Sequence, residues 1–114
     1  MYREMILQNI EYDQLTHEDP FCVKELNEIV ELMVEAISST RKTIRVAGED
    51  FPHDVVKSRL LQLDSEHIRF VMDCMRENTT KVRNIKQYLL TALFNAPTTI
   101  NNYYTSLVNH DFYG

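Results

Sequence analysis

Six cations fall in two clusters, Arg41-Lys42-Arg45 and Lys81-Arg83-Lys86, and the chemistry open to them is the binding of anionic groups. Either cluster can meet a phosphate, and Tyr103 or Tyr104 can offer a surface on which an unpaired base stacks. The competing use is structural, with the cations closing helix C-termini and pairing with Glu35, Glu49 or Asp50. That use suits Arg41 and Lys42, which follow directly on a predicted helix, where the dipole favours positive charge. It suits Lys81, Arg83 and Lys86 less well, because they stand at the start of a predicted helix and oppose its dipole. Folding alone does not ask for that arrangement, so an anionic partner is the alternative. Glu28, Glu31 and Glu35 make a second candidate surface, of opposite sign.

Other chemistry finds little support. His17, His53, His67 and His110 share no metal-ligand spacing such as HExxH. His67 falls in the first turn of a predicted helix and reads as a surface residue. His110-Asp111 is an adjacent pair whose side chains point apart on a helix, which reads as a structural lock rather than a base and its orienting acid. The chain has no glycine-rich phosphate loop, nucleophile elbow or P-loop. It reads as a protein that is not an enzyme and needs no cofactor or metal. Cys22 and Cys74 lack a CxxC partner and read as buried thiols in a reducing compartment, which points to the cytoplasm.

Composition sets the frame for these residues. With 114 residues, 44% of them apolar and only two glycines, the chain fits one small helical domain. It contains no run of 18 apolar residues, so no membrane span is expected, and its start, MYREMILQNIEYD, is too polar for a secretory signal. The net charge of −5 is unevenly spread. Residues 1–36 set two cations against nine carboxylates, a net −7, while the remainder sets ten against eight, a net +2. So acidic a chain is a poor candidate for a dedicated reader of duplex DNA, where phosphate contacts dominate.

The pattern of apolar residues predicts a mainly α domain, a small bundle of five to six helices with one short β-hairpin at about 43–51. A short helix covers Glu4 to Asn9 and continues irregularly to Leu15. A central helix, Cys22 to Ser38, buries Val23, Leu26, Ile29, Val30, Met33, Val34 and Ile37. Thr43 to Val46 alternates like a strand, Ala47-Gly48 can turn, and Glu49 to Phe51 can return, leaning on the helices through Ile44, Val46 and Phe51. Pro52 suits the first turn of a helix to about Gln62, burying Val56, Leu60 and Leu63. Asp64 caps a helix from Ser65 to Arg76 with Ile68, Val71, Met72 and Met75 inward. Asn84, with Gln87 three residues on, caps a helix with the stripe Ile85, Tyr88, Leu89, Ala92, Leu93 and Ala96, which Pro97 ends. Thr98 or Thr99 then caps a last helix with the stripe Ile100, Tyr103, Tyr104, Leu107 and Val108.

Four stretches, RKTIRV, VVKSRLLQLD, NTTKVRNIKQYLLTALFNAP and the closing VNHDFYG, resemble the C-terminal domain of replication initiator protein A. Such initiators belong to plasmids and conjugative elements of Gram-positive bacteria. NIEYDQL and NEIVELMVEAI extend the likeness over nearly the whole chain. The resemblance implies an N-terminal lead-in at 1–20 from an upstream winged-helix domain that reads the origin, and a helical C-terminal domain at 21–114. That domain is similar to the helical domains of the primosome proteins DnaD and DnaB. DnaD-type domains carry a YxxxIxxxW signature beside a single-strand-binding region. Here Tyr88 is followed by Ala92 and Ala96, and the tryptophan is absent.

The resemblance therefore implies recruitment of host replication proteins, primase or the helicase-loading complex, with DNA bound through the upstream domain. In that reading Lys81, Arg83 and Lys86, or the acidic face, dock the partner. In the competing reading the same basic residues, with Arg41, Lys42 and Arg45, touch DNA phosphates as an accessory site.

Overall fold

Glu11 divides the N-terminal helical segment in two. In this computed structural model, residues 2–78 and 84–113 are described, with side chains described for 2–77 and 84–101. The backbone of Glu11, at φ 56° and ψ 53°, lies in the left-handed region that L-residues rarely enter. It stands between α1 (Tyr2–Asn9) and α2 (Tyr12–Glu18), the two pieces of the expected irregular helix. Ile6, Ile10 and Leu15 are buried in the same core as the central helices, so residues 2–18 are packed onto the domain.

Asp19 then caps a 3-10 turn, Pro20–Cys22, by accepting from the Phe21 amide at 3.1 Å. The central helix α3 (Val23–Ser38) follows. Leu26, Ile29, Val30, Met33 and Ile37 are buried as their spacing predicts, but Leu32 and Ala36 are buried too, and Val23 and Val34 are only half-buried. The buried face is thus rotated and widened toward Leu32, because partners pack on α3 from more than one side.

The hairpin forms as expected. Strands β1 (Thr43–Val46) and β2 (Glu49–Pro52) pair antiparallel, with Ile44 opposite Phe51 and Arg45 opposite Asp50. Ala47 at φ 53° and Gly48 at φ 83° supply the two positive-φ positions that a tight hairpin turn requires. Val46 is buried, and Ile44 and Phe51 pack against the core. The Phe51 ring lies 4.7 Å from that of Phe94, whose ring also carries the Arg59 guanidinium at 4.3 Å. These contacts give a two-stranded ribbon the support it lacks alone. Pro52 ends β2 and is the N-cap of α4 (His53–Leu61), one position earlier than the first-turn place expected of it.

Helix α5 (Ser65–Asn78) starts with a reciprocal cap. Asp64 Oδ1 accepts from the His67 amide, and His67 Nδ1 accepts from the Asp64 amide, each at 3.1 Å. His67 is therefore a half-buried capping residue, not the surface residue its position suggested, because its ring folds back over the helix start. Arg76 of α5 reaches Glu25 at 3.2 Å and Asp19 at 3.4 Å, and Arg69 pairs with Glu18, so α5 is clasped to the segment around the 3-10 turn.

Helix α6 runs Ile85–Tyr113 and contains Pro97, which corrects the expectation that Pro97 ends one helix and Thr98 or Thr99 begins another. A proline inside a helix removes one hydrogen bond and crowds the carbonyl four residues back, a cost of about 3 kcal/mol. Leu89, Leu93, Ala96 and Ile100 keep helical phase across it and are all buried. Burying that continuous stripe, chiefly against α5, offsets the local cost. Among the described residues there are thus six α-helices and one two-stranded hairpin, a small mainly α domain, and no helix is long and apolar enough to cross a membrane.

Candidate functional site

The two ends of the site are positioned by α3 and by the start of α6. Asn84 fixes that start, since its Oδ1 accepts from the Gln87 amide at 3.1 Å, the predicted N-cap bond. Two residues on, Lys86 Nζ lies 2.9 Å from the Glu35 carboxylate of α3. Both side chains are more than 60% exposed, so the pair contributes at most about 1 kcal/mol. Its importance is geometric. It joins the basic helix start and the acidic helix face, the two surfaces that the sequence offered as alternatives.

The pair sits across a groove with two compartments, both bordered by Leu32, Glu35 and Lys86. Toward the N-terminal half of α3 the compartment measures about 470 Å³, with Leu32, Leu89 and Ile85 as its apolar floor and Glu28 and Glu31 on its rim. Ile85 is 40% exposed, which corrects its placement in the core stripe. It lies one turn before Leu89, at the helix end, where the core no longer covers it. Toward the C-terminal end of α3 the second compartment, about 560 Å³, is lined by Ser39, Thr40, Arg41 and Arg45 together with Lys86 and Gln87.

The candidate residues therefore divide as follows. Arg41 and Arg45, from one basic cluster, and Lys86, from the other, line a single compartment although about 40 residues separate them in sequence. Arg45 pairs with its cross-strand neighbour Asp50 at 3.4 Å, one of the partners expected of it. Arg41 and Lys42 make no ion pair among the described residues, and Lys42 does not line the groove. Glu31 is gripped by both terminal nitrogens of Arg3 from α1, one of them at 3.0 Å. That guanidinium, chiefly through its hydrogen bond, holds the Glu31 carboxyl below its ordinary value. Glu28 makes no ion pair among the described residues. Lys81 and Arg83 lie outside the described residues, as do the side chains of Tyr103, Tyr104, His110 and Asp111.

Sequence reasoning missed the groove floor and two residues that shape the site. Arg3 was not linked to Glu31, 28 positions away. His53 donates from Nε2 to the Ile37 carbonyl at 2.9 Å, while its amide donates to the Lys42 carbonyl at 2.9 Å. It thereby ties the end of α3 to the hairpin and sets the wall that carries Arg41. A carbonyl only accepts, so the Nε2 position carries the proton. Nothing in the spacing of the histidines signals that role.

Cys22 is a buried free thiol, and burial first, then Asp19, pushes its pKa up, which makes it a poor nucleophile. Cys74 is in no disulfide and is only half-buried, which corrects its reading as a buried thiol. Among the described residues no cluster of histidine, cysteine or carboxylate side chains is arranged to hold a metal. What the groove can do chemically is hold a chain segment, through an apolar floor and rims of both signs.

No curated protein and no solved structure shows significant similarity to this sequence. A protein-family model does match, over residues 1–114, and by that match the chain belongs to DUF6017, a family of unknown function.

Proposed function

We propose that the chain is the non-enzymatic C-terminal domain of a plasmid-type replication initiator. In this reading it recruits a host replication protein, primase or the helicase-loading complex, to an origin bound by an upstream domain, in the cytoplasm. The observation that carries the recruitment reading is the α3/α6 groove, whose apolar floor of Leu32, Leu89 and half-exposed Ile85 is rimmed by charge. A desolvatable centre inside a polar rim is the anatomy of a protein-binding surface. Phosphate recognition needs no such floor. The resemblance of RKTIRV, VVKSRLLQLD and the Asn78–Pro97 run to replication initiator protein A supplies the replication context.

A second reading, an accessory DNA contact, draws on the meeting of Arg41, Arg45 and Lys86 around one compartment. Two of those three cations already have carboxylate partners, which weakens it. One experiment separates the two. Ile85→Asp removes apolar floor without touching a cation, and an acid in the first turn suits the helix dipole. In the full-length initiator it should leave the origin gel shift unchanged, lower plasmid copy number, and reduce binding to purified host primase or helicase loader. Normal copy number in a folded Ile85→Asp initiator would refute recruitment through this groove. Salt-sensitive, sub-micromolar binding of the isolated chain to a DNA oligonucleotide, abolished by Arg41→Ala, would favour the second reading.

A further inference from the structure

Phe21 is 95% exposed, yet its backbone is held in place. Pro20 precedes it in the 3-10 turn, and its amide donates to Asp19 Oδ1 at 3.1 Å. A lone exposed apolar side chain is ordinary. What distinguishes this one is its place beside the groove. Phe21, Lys24, Glu28 and Leu32 are spaced three, four and four residues apart, which sets them along one face of the turn and of α3. The last three line the compartment of about 470 Å³ that is floored by Leu32, Ile85 and Leu89. An aromatic knob and an apolar hole thus share one surface. From Phe21 to Glu31, midway along the compartment, is about 15 Å of helix. The rim of the hole is balanced in charge, since Lys24 offsets Glu28, Arg3 grips Glu31 and Lys86 pairs with Glu35. Lys24 and Glu28 are exposed and make no ion pair among the described residues.

We propose that two copies of this chain associate through this face, with Phe21 of each seated in the α3/α6 compartment of the other. A twofold axis lets one surface that carries both knob and hole serve both copies at once, with the two α3 helices antiparallel. The register follows from the spacing. Seating Phe21 opposite the partner's Glu31 puts the axis at position 26, midway between them. Positions equidistant from the axis then face each other, so Lys24 meets the partner's Glu28 and Glu28 meets the partner's Lys24. Within one chain these two stand four residues apart with the lysine first, the weaker helical order for such a pair, and they do not join. Across the axis opposite charges meet twice, in the register that the knob and hole require by themselves. A buried aromatic ring in an apolar pocket, with charged groups outside it, is the usual form of a binding hot spot. The inference does not depend on the recruitment reading, although both use one groove: a recruited protein would displace the second copy.

The test is sedimentation equilibrium of the purified chain over a concentration series reaching about 1 mM, a range that detects even weak association. The mass should rise with concentration toward twice the 13.5 kDa of a single chain. Phe21→Ser removes the knob and Ile85→Asp the hole, and each should weaken association by about tenfold or more. Phe21 packs on nothing that its exposure would reveal, and its amide still reaches Asp19, so the fold should persist; circular dichroism checks this. The register is tested by charge. Lys24→Glu alone and Glu28→Lys alone each set like charges across the axis and should each weaken the dimer. An equimolar mixture of the two single variants should restore it, because every facing pair is then opposite in sign. A chain that stays monomeric throughout, or a dimer that Phe21→Ser leaves intact, would overturn the inference, as would single charge variants whose mixture associates no better than each alone. None of these results touches recruitment, which the copy-number assay decides against a host protein.

Discussion

Leu93→Ala is the sharpest test of how α6 faces the core. Leu93 is fully buried at 0% exposure, in a stripe that continues through Ala96 and Ile100 beyond Pro97. The substitution removes three carbons, worth about 0.8 kcal/mol each, or about 2.4 kcal/mol of lost burial. The cavity left behind adds to this where neighbours cannot close in, and the expected total is about 2–5 kcal/mol. Lys86→Ala on the same helix breaks only the exposed pair with Glu35 and should cost less than about 1 kcal/mol. Urea unfolding followed by circular dichroism reads both. The Leu93→Ala midpoint should fall by about 1 M or more, while that of Lys86→Ala should barely move. The reasoning fails if the two variants are equally stable, or if Lys86→Ala is the more damaged. Either result would mean that α6 is turned the other way and that its charged face is structural.

Two more expectations concern backbone conformation and pH. Ala47→Asn should stabilise the chain by about 0.5–1 kcal/mol, since asparagine tolerates the positive φ that Ala47 adopts in the hairpin turn, and Ala47→Val should destabilise it; thermal melts showing the reverse order would exclude the turn. Glu31, whose carboxyl is lowered first by the Arg3 hydrogen bond, should return toward its ordinary 4.5 in Arg3→Ala, as read by carboxyl NMR titration. Because its folded value is depressed, the stabilisation it gives is present in full above 4.5 and is lost as pH falls through the lowered value, and an acid limb of the stability curve that Arg3→Ala leaves unchanged would contradict this.

The elements were largely legible in the residues, and the one departure among them has a physical cause. Asn84, Gln87 and Asp64 signal helix starts through local chemistry that tertiary structure does not alter. Ala47-Gly48 between alternating residues signals the turn in the same way. Pro97 is the departure, while Glu11 lies where the first helix was expected to turn irregular. A glutamate carries no preference for left-handed backbone, so the break between α1 and α2 has no local mark, and packing of Ile6, Ile10 and Leu15 on α3 imposes it. Pro97 carries a strong local preference to stop a helix, and the in-phase burial of Leu93, Ala96 and Ile100 overrides it. Local propensity was decisive where no packing opposed it, and packing prevailed elsewhere.

The site follows the same division. Each charge on the groove was identifiable one at a time: Glu28, Glu31 and Glu35 by their spacing on one helix, Arg41 and Arg45 by their cluster, Lys86 by its opposition to the helix dipole. Their meeting was not, because Glu35 and Lys86 are 51 residues apart and are brought together only by the way α3 and α6 pack. The floor was harder still. Ile85 looks like an ordinary core residue in sequence and Leu32 falls outside the predicted stripe, and only the position of Ile85 at the very start of α6 leaves it uncovered beside Leu32. An unfavourable charge at a helix start therefore marked a residue that lines the groove, though for a reason the helix alone does not contain. Lys86 has its carboxylate partner in α3, and the strain of placing it at the helix start is relieved by the same contact that divides the groove.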